Sequence, residues 1–331
     1  MRDTPLIVTA SPHIKAADST PRIMGHVVVS LVPVIASAAW FFGISAILVI
    51  TAATLGALVT ERVAGKPGAL HDHSAIITGL LLGLSLPSGF PLWMAFIGGA
   101  FGIGFGKAVW GGLGQNAFNP ALLGRAFLQA AFPVAITTWP RPGGSFWSLS
   151  GDLFAWPFLH PVSDAITGAT PLGLLKFEKQ GTPITDLILG RTGGSVGETA
   201  ALVILLGGVY LALMGCLNWR APVAILATVG GLSGLMHAMD ATKPGAFFMI
   251  FSGGLMLGAV YMATDMVTVP ITNPGRWIFG IGVGVLVVVI RVWGGLPEGV
   301  MYAILLMNAL TPFINKATQP RVFGSGTRIA R

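Results

Sequence analysis

Charge is what this chain has least of: 9% of its 331 residues are Asp, Glu, Lys or Arg, against about a quarter in soluble domains. With 53% hydrophobic residues and a mean hydropathy of +0.79, that scarcity excludes an ordinary soluble fold and reads as an integral membrane protein. Cysteine is almost missing as well. Cys216 stands alone, so neither a disulfide framework nor a thiolate-held cluster can form within the chain, and any redox chemistry needs another carrier. The net charge of +7 does not point to nucleic acid, because its Lys and Arg residues are scattered and never interleave with aromatics in a basic run. No dinucleotide or phosphate-loop fingerprint is present. The glycine run "GGAFGIGFG" follows no strand and falls inside an apolar stretch, where close helix packing explains it. His71 and His73 are only two apart and no histidine has ligand spacing, so no metal is expected. The first 22 residues lack the apolar core and cleavage site of a signal peptide, and are expected to form a cytoplasmic tail.

What the chain does have is apolar runs. They fall at about 23–43, 44–61, 74–86, 91–110, 119–136, 199–216, 221–239, 245–263, 276–293 and 299–315, each near the length a helix needs to span a bilayer. The run at 74–86 is short and ends in "LPSGFP", and the one at 245–263 meets "ATDMVTVPITNPG", so both read as helices interrupted within the membrane. An even number of spans puts both termini on one side. Placing them in the cytoplasm leaves twelve Lys and Arg residues inside and six outside, which fits the positive-inside bias. The long polar segment 137–198 then faces outward.

A duplication underlies this pattern. "VWGGL" occurs at Val109–Leu113 and again at Val292–Leu296, "GLLLGL" at Gly79 matches "GLMLGA" at Gly254, and Trp93 matches Trp277 at nearly the same shift. Five spans per half is an odd number, so the halves are expected to be inverted. The expected architecture is all-α, about ten transmembrane helices in two inverted five-helix repeats at 23–136 and 199–315. Residues 1–22 and 316–331 are expected as cytoplasmic tails, with the outer loop at 137–198. Gly79 and Gly83, like Gly254 and Gly258, make small-residue faces suited to helix contact.

Residues 164–173 read "DAITGATPLG", a small polar patch in the middle of the outer loop. Thr170 before Pro171 is a helix N-cap followed by proline at the first helical position, and such a terminus favours a phosphate. On spacing alone, a cap suffices. A similar tension holds at "QNAFNP": Asn119 caps the helix opened by Pro120, whereas Asn116 is left without that explanation, and its amide suits the donor and acceptor edges of a flavin ring. Asp265 is the sharpest intramembrane candidate, since a carboxylate at membrane depth is costly unless paired or functional. Arg125, inside the fifth run, is expected to pair with an acid or snorkel to the interface.

Asp164, Thr167, Gly168, Ala169 and Thr170 together resemble the Asp-x-x-Ser/Thr-Gly-Ala-Thr acceptor of the NqrB/RnfD family, as do "SPHI" at Ser11, "GGLGQNAFNPALLG" at Gly111 and "ATDMVTVP" at Ala263. The resemblance covers nearly the whole chain and is stronger to the RnfD branch. That branch is a membrane subunit of the Rnf complex, an ion-translocating ferredoxin:NAD oxidoreductase. The NqrB branch of sodium-pumping NADH:quinone reductases normally carries a longer N-terminal extension. The sequence departs from the family at Asp72-His73-Ser74-Ala75, where Asp-Gly-Ser-Ala is common, and at Asp265-Met266-Val267, where Asp-Pro-Val is common. The resemblance implies FMN attached through its phosphate to the Thr170 hydroxyl by a flavin transferase. It also implies a non-covalent riboflavin held by Asn116, Asn119 and Asp265, with Asp265 and Asp72 as ion-path candidates. Implied partners are the bilayer and the other membrane, iron-sulfur and flavin subunits, with NAD and ferredoxin bound elsewhere. The implied location is the bacterial cytoplasmic membrane, with the FMN loop on the periplasmic side. The competing reading is a urea-transporter-type solute channel, since an inverted repeat alone says transporter as readily as oxidoreductase.

Overall fold

A computed structural model describes residues 19–320 except 67, 141, 144, 150, 151, 157–167 and 199. The described residues form helices and connecting segments with no strand. Five helices are long and apolar enough to cross a membrane: α1 (Thr20–Phe42), α2 (Ile44–Ala64), α10 (Arg220–Met239), α13 (Asn273–Trp293) and α14 (Val300–Thr318). Shorter apolar helices lie among them. These are α3 (Ser74–Leu84), α4 (Leu92–Ile103, extended by a wider π-type turn to Ala108), α5 (Pro120–Ala131) and α9 (Ala201–Leu213). The elements α6 (Pro133–Thr137), α7 (Pro171–Gly173, continued by a wider turn to Glu178) and α8 (Ile184–Leu189) belong to the long polar segment or its approach. The pair α11 (Ala246–Phe251) and α12 (Leu255–Leu257, continued to Met262) is one apolar run broken in two. Every apolar run read from the sequence is therefore helical, although two differ in where they break. The run 119–136 is cut at Phe132, because Pro133 opens a new short helix.

The other difference is at the eighth run. The sequence places its interruption at "ATDMVTVP", yet the helix already breaks at Ser252–Gly254, with Gly253 at φ +61. The reason is visible in the groups freed there. The Arg291 guanidinium donates to the carbonyls of Met249 at 2.6 Å and Ser252 at 3.0 Å, while a Glu298 carboxylate oxygen accepts from Gly254 N–H at 3.0 Å. A break inside an apolar bundle is tolerated where side chains replace the missing backbone partners. The same logic holds at α3, whose end is met by Gly197 N–H on the Leu84 carbonyl at 2.7 Å and Val196 N–H on the Leu86 carbonyl at 3.0 Å.

Glycines set the helix spacing in the first half. Gly79 and Gly83 of α3 lie directly against the backbone of Thr54 and Ile50 in α2, leaving no room for a Cβ. Their sequence counterparts behave differently, since Gly254 faces the Glu198 side chain and Gly258 faces Val300. The main apolar core runs through Leu31, Phe90, Ile204 and Phe279.

The bundle has two distinct ends. The described residues of the segment 137–198 gather at one of them: Phe146 C=O accepts from Ile44 N–H, Leu153 C=O from Leu92 N–H, and Lys176 Nζ donates to carbonyls of Arg291, Gly294 and Leu296. The start of α1 and the end of α14 lie at the other, where Met24 and Val27 meet Asp265 around one cavity and Thr318 bonds Thr272.

Candidate functional site

At the end that holds the start of α1, several apolar elements stop short and expose polar termini to a shared cavity. Its unfilled space is about 780 Å3, mouth included, and its wall carries Ser74, Thr78, Lys107, Asn116, Asn119, Tyr261 and Asp265. The part of it that a water-sized sphere can enter is about 90 Å3, below the roughly 300–1,000 Å3 of small-molecule sites, so a ring-sized ligand would occupy the open mouth as well. The three residues that family resemblance marks as a flavin site, two near the start of α5 and one beyond α12, thus share one cavity.

Their chemistry differs. Asn119 is the α5 cap: its Oδ1 accepts from Ala121 N–H at 3.0 Å and Leu122 N–H at 3.3 Å, and its Nδ2 donates to the Met262 carbonyl at 3.1 Å. Both ends of the amide are committed, one to the cap and one to a tie between the two halves of the chain. Asn116 is buried with its Nδ2 on the Phe118 carbonyl at 3.3 Å, while its Oδ1 has no partner. A buried acceptor without a donor is rare in folded proteins and marks a place where a ligand or water belongs. Asp265 sits in the turn after the broken helix, beside Asn116. Its oxygens accept from Val267 N–H at 3.3 Å and Thr268 Oγ at 3.2 Å, which leaves acceptor capacity facing the cavity.

Lys107 brings a positive charge to that wall. It is 2% exposed, and its ammonium donates to Glu61 at 2.9 Å, Asp72 at 3.3 Å and Ser74 Oγ at 2.6 Å. Asp72 is held in place because it also accepts from the first residue of α3, from Ser74 N–H at 2.8 Å and Ser74 Oγ at 2.6 Å. Asp72 therefore belongs to a buried ion cluster at the cavity edge. Sequence reasoning misses Glu61 and Lys107, although each is an isolated charge at the end of an apolar run, which is the available signal.

Arg125 resolves to pairing. Its guanidinium donates to Glu198 at 2.8 Å and Glu298 at 3.2 Å, deep in the bundle. A smaller cavity of about 370 Å3 adjoins this cluster and is lined also by Gln129 and Tyr302. Leu122 and Met262 line it while Ala121 and Tyr261 line the larger one, so consecutive residues of the same two elements separate the cavities.

Thr170 lies at the opposite end from the larger cavity. It caps the turn it opens, accepting from Gly173 N–H at 3.1 Å with Pro171 in the first helical position. Gly168 N–H donates to the Trp139 carbonyl at 2.8 Å, and Leu172 packs against Gly253 beside Glu298. Lys176 ties the following turn to Arg291, Gly294 and Leu296, and partial burial pulls its ammonium below the usual lysine range. Gly168, Ala169 and Thr170 are thus held against the bundle, whereas Asp164 and Thr167 lie outside the described residues.

The family model of NQR2, RnfD and RnfE matches residues 7–324. The chain is 42% identical to the D component of the proton-translocating ferredoxin:NAD(+) oxidoreductase complex of Clostridium ljungdahlii, covering 96% of each chain. It is 42% identical to the D component of the ion-translocating oxidoreductase complex of Stutzerimonas stutzeri, covering 94% of each. To the D component of the Na(+)-translocating ferredoxin:NAD(+) oxidoreductase complex of Acetobacterium woodii it is 39% identical, over 98% of this chain and 97% of that one.

Proposed function

Because the chain belongs to the NQR2, RnfD, RnfE family, we propose that it is the RnfD-type membrane component of an ion-translocating ferredoxin:NAD oxidoreductase complex. In this reading it carries FMN on Thr170 and a second, non-covalent flavin in the cavity of Asn116 and Asp265. Near-complete coverage of relatives with those names supports the assignment to the complex. The coupled ion is a proton or Na⁺, since relatives named for each match the chain comparably.

The observation that carries the flavin reading is the orphaned Asn116 Oδ1 on the wall of a cavity that Asp265 also lines. An isoalloxazine ring carries an N–H between two carbonyls, and that N–H suits the free Asn116 oxygen or an Asp265 oxygen as acceptor. Asn119 shapes that site by fixing the start of α5 against Met262, and Lys107 places a cation on the same wall. A flavin held there supplies a carrier of one or two electrons. The Thr170 hydroxyl fits an ester to FMN because its oxygen stands at a helical start, with proline next and a free small-residue approach at Ala169. Asp164 and Thr167 complete the acceptor motif that the transferase would recognise.

The arrangement of helices supports the inverted ten-span reading. α2 packs on α3 and α4 and α4 on α5, while α10 packs on α11 and α13 and α13 on α14, the same sequence of neighbours in each half. With both described termini at the end opposite the described residues of 137–198, the charge asymmetry favours the cytoplasm for the termini and the periplasm for Thr170. The complex then resides in the bacterial cytoplasmic membrane, with iron-sulfur and flavin subunits handling ferredoxin and NAD. A solute channel would have no use for a flavin.

Asp265→Asn tests the cavity assignment. The exchange nearly preserves volume, so the protein should fold with its Thr170-linked flavin intact. Flavin released on acid precipitation should fall at least several-fold. Unchanged release would remove Asp265 from the cofactor site.

A further inference from the structure

Between α6 and α7 the chain passes through residues 145–149 and 152–156, which form turns and no helix. Phe146, Trp147, Leu149, Phe154 and Trp156, together with Trp40 on the last turn of α1, are between 44 and 84% exposed. Asp152 is the one charged residue from 142 to 156. Such a surface has few suitable surroundings. Water is a poor one, because contiguous large apolar side chains make a patch that soluble surfaces avoid. The hydrocarbon core is excluded too, because irregular backbone exposed to lipid tails leaves N–H and C=O groups unpaired.

The helix ends give the level. Phe41 C=O accepts from Gly143 N–H at 3.1 Å, Ile44 N–H donates to Phe146 C=O at 2.9 Å, and Leu92 N–H donates to Leu153 C=O at 3.1 Å. The segment is therefore pinned at the height where α1, α2 and α4 meet the polar segment. Trp40 at that height, and Trp293 at the same end of α13, are where interfacial tryptophans belong, with Trp110, Trp219 and Trp277 forming the corresponding group at the other end. Between the segment and α1 runs an open groove. Ala36, Ala39, Trp40 and Phe146 line it together with Ser145 and Ser148, with no charged side chain among its described residues. An uncharged groove that mixes apolar and hydroxyl side chains at the level of the helix ends suits the glycerol region of a neutral or zwitterionic phospholipid.

We propose that residues 145–149 and 152–156 form an aromatic shelf lying in the headgroup layer of the leaflet at the Thr170 end, with a bilayer phospholipid seated in the groove between the shelf and α1. The shelf stabilises the long polar segment from the lipid side, as Lys176 does from the protein side. The inference rests on the spans crossing a bilayer and is independent of any flavin.

Nitroxide accessibility tests it in the protein purified with its accompanying subunits and reconstituted in phosphatidylcholine nanodiscs. In a Cys216→Ser background, Leu149→Cys and, as a second site on the groove wall, Ser148→Cys carry the label. Lys179→Cys serves as an aqueous control and Val209→Cys, on the exposed face of α9, as a hydrocarbon control. All four positions are surface-exposed, so folding should be unaffected. The ratio of oxygen to nickel-complex collisions at 149 and 148 should fall between the two controls. A ratio equal to that of Lys179→Cys would place the shelf in water and overturn the proposal. A ratio equal to that of Val209→Cys would place it in hydrocarbon, and shielding from both reagents would mean that another protein of the complex covers it. Either result would also overturn the proposal.

Discussion

Two buried cations in this bundle are each clamped by two carboxylates, and they are built from different stretches of chain. Lys107 meets Glu61 and Asp72, all within the first half and at the edge of the larger cavity, where Asp72 remains 19% exposed. Arg125 meets Glu198 and Glu298, 73 and 173 residues away, so that one guanidinium joins the first half, the end of the polar segment and the second half. Glu298 goes on to hold Gly254 N–H at the break in the second half. The first cluster is a local feature of a site, and the second is a strut. The difference teaches that charge burial alone does not mark function: both clusters border a cavity, and the partners' distance in sequence separates a local cluster from a strut.

Removing the strut should have the largest effect. Arg125→Met leaves Glu198 and Glu298 without their shared partner, and breaking a buried ion pair from one side costs about 3–5 kcal/mol. Sharply reduced folded protein in membranes and a lower midpoint in detergent thermal unfolding are expected. Adding Glu198→Gln should recover part of the loss. Wild-type stability in the single variant would refute the strut.

Lys107→Met should cost less, about 1–3 kcal/mol, because its partners Glu61 and Asp72 both lie in the first half and the tie between the halves is left intact. Here the informative effect is on the cavity, and releasable flavin should drop while the fold persists. A variant that unfolds as completely as Arg125→Met would erase the distinction between the clusters.

The smallest effects separate the two asparagines. Asn119→Ala loses a helix cap and should cost about 1 kcal/mol. Asn116→Ala removes an oxygen with no partner and one long hydrogen bond to the Phe118 carbonyl, and should cost only about 0.5 kcal/mol, the low end for a single hydrogen bond. Releasable flavin should respond in the opposite order, with the larger loss in Asn116→Ala. Equal loss in both would make the cavity wall, and not the free oxygen, the determinant.

How legible these features are in the sequence follows from their range. The helices are legible because apolar length is local, and the caps at Asn119 and Thr170 because a capping side chain and the following proline are neighbours in sequence. Asn116 is set apart from Asn119 by that same local rule. The break at Ser252–Gly254 is not legible, since "FSGGL" reads as a continuing small-residue helix until Arg291 and Glu298 are seen to satisfy its open ends. Arg125 is legible as a charge needing an acid, and its partners are not, because nothing in the spacing of Glu198 and Glu298 aims them at residue 125. The convergence of Asn116 and Asp265 on one cavity is implied by family resemblance alone and has no local signature.

The central claim, a flavin-carrying RnfD-type protein, is tested most directly at Thr170. The denatured chain, separated by gel and viewed under ultraviolet light, should fluoresce, and mass spectrometry should find the peptide containing Thr170 heavier by one esterified FMN. Thr170→Ala should abolish the fluorescence while leaving the protein in the membrane. A fluorescent Thr170→Ala band, or a wild-type peptide of unmodified mass isolated from cells that contain the flavin transferase, would contradict the account.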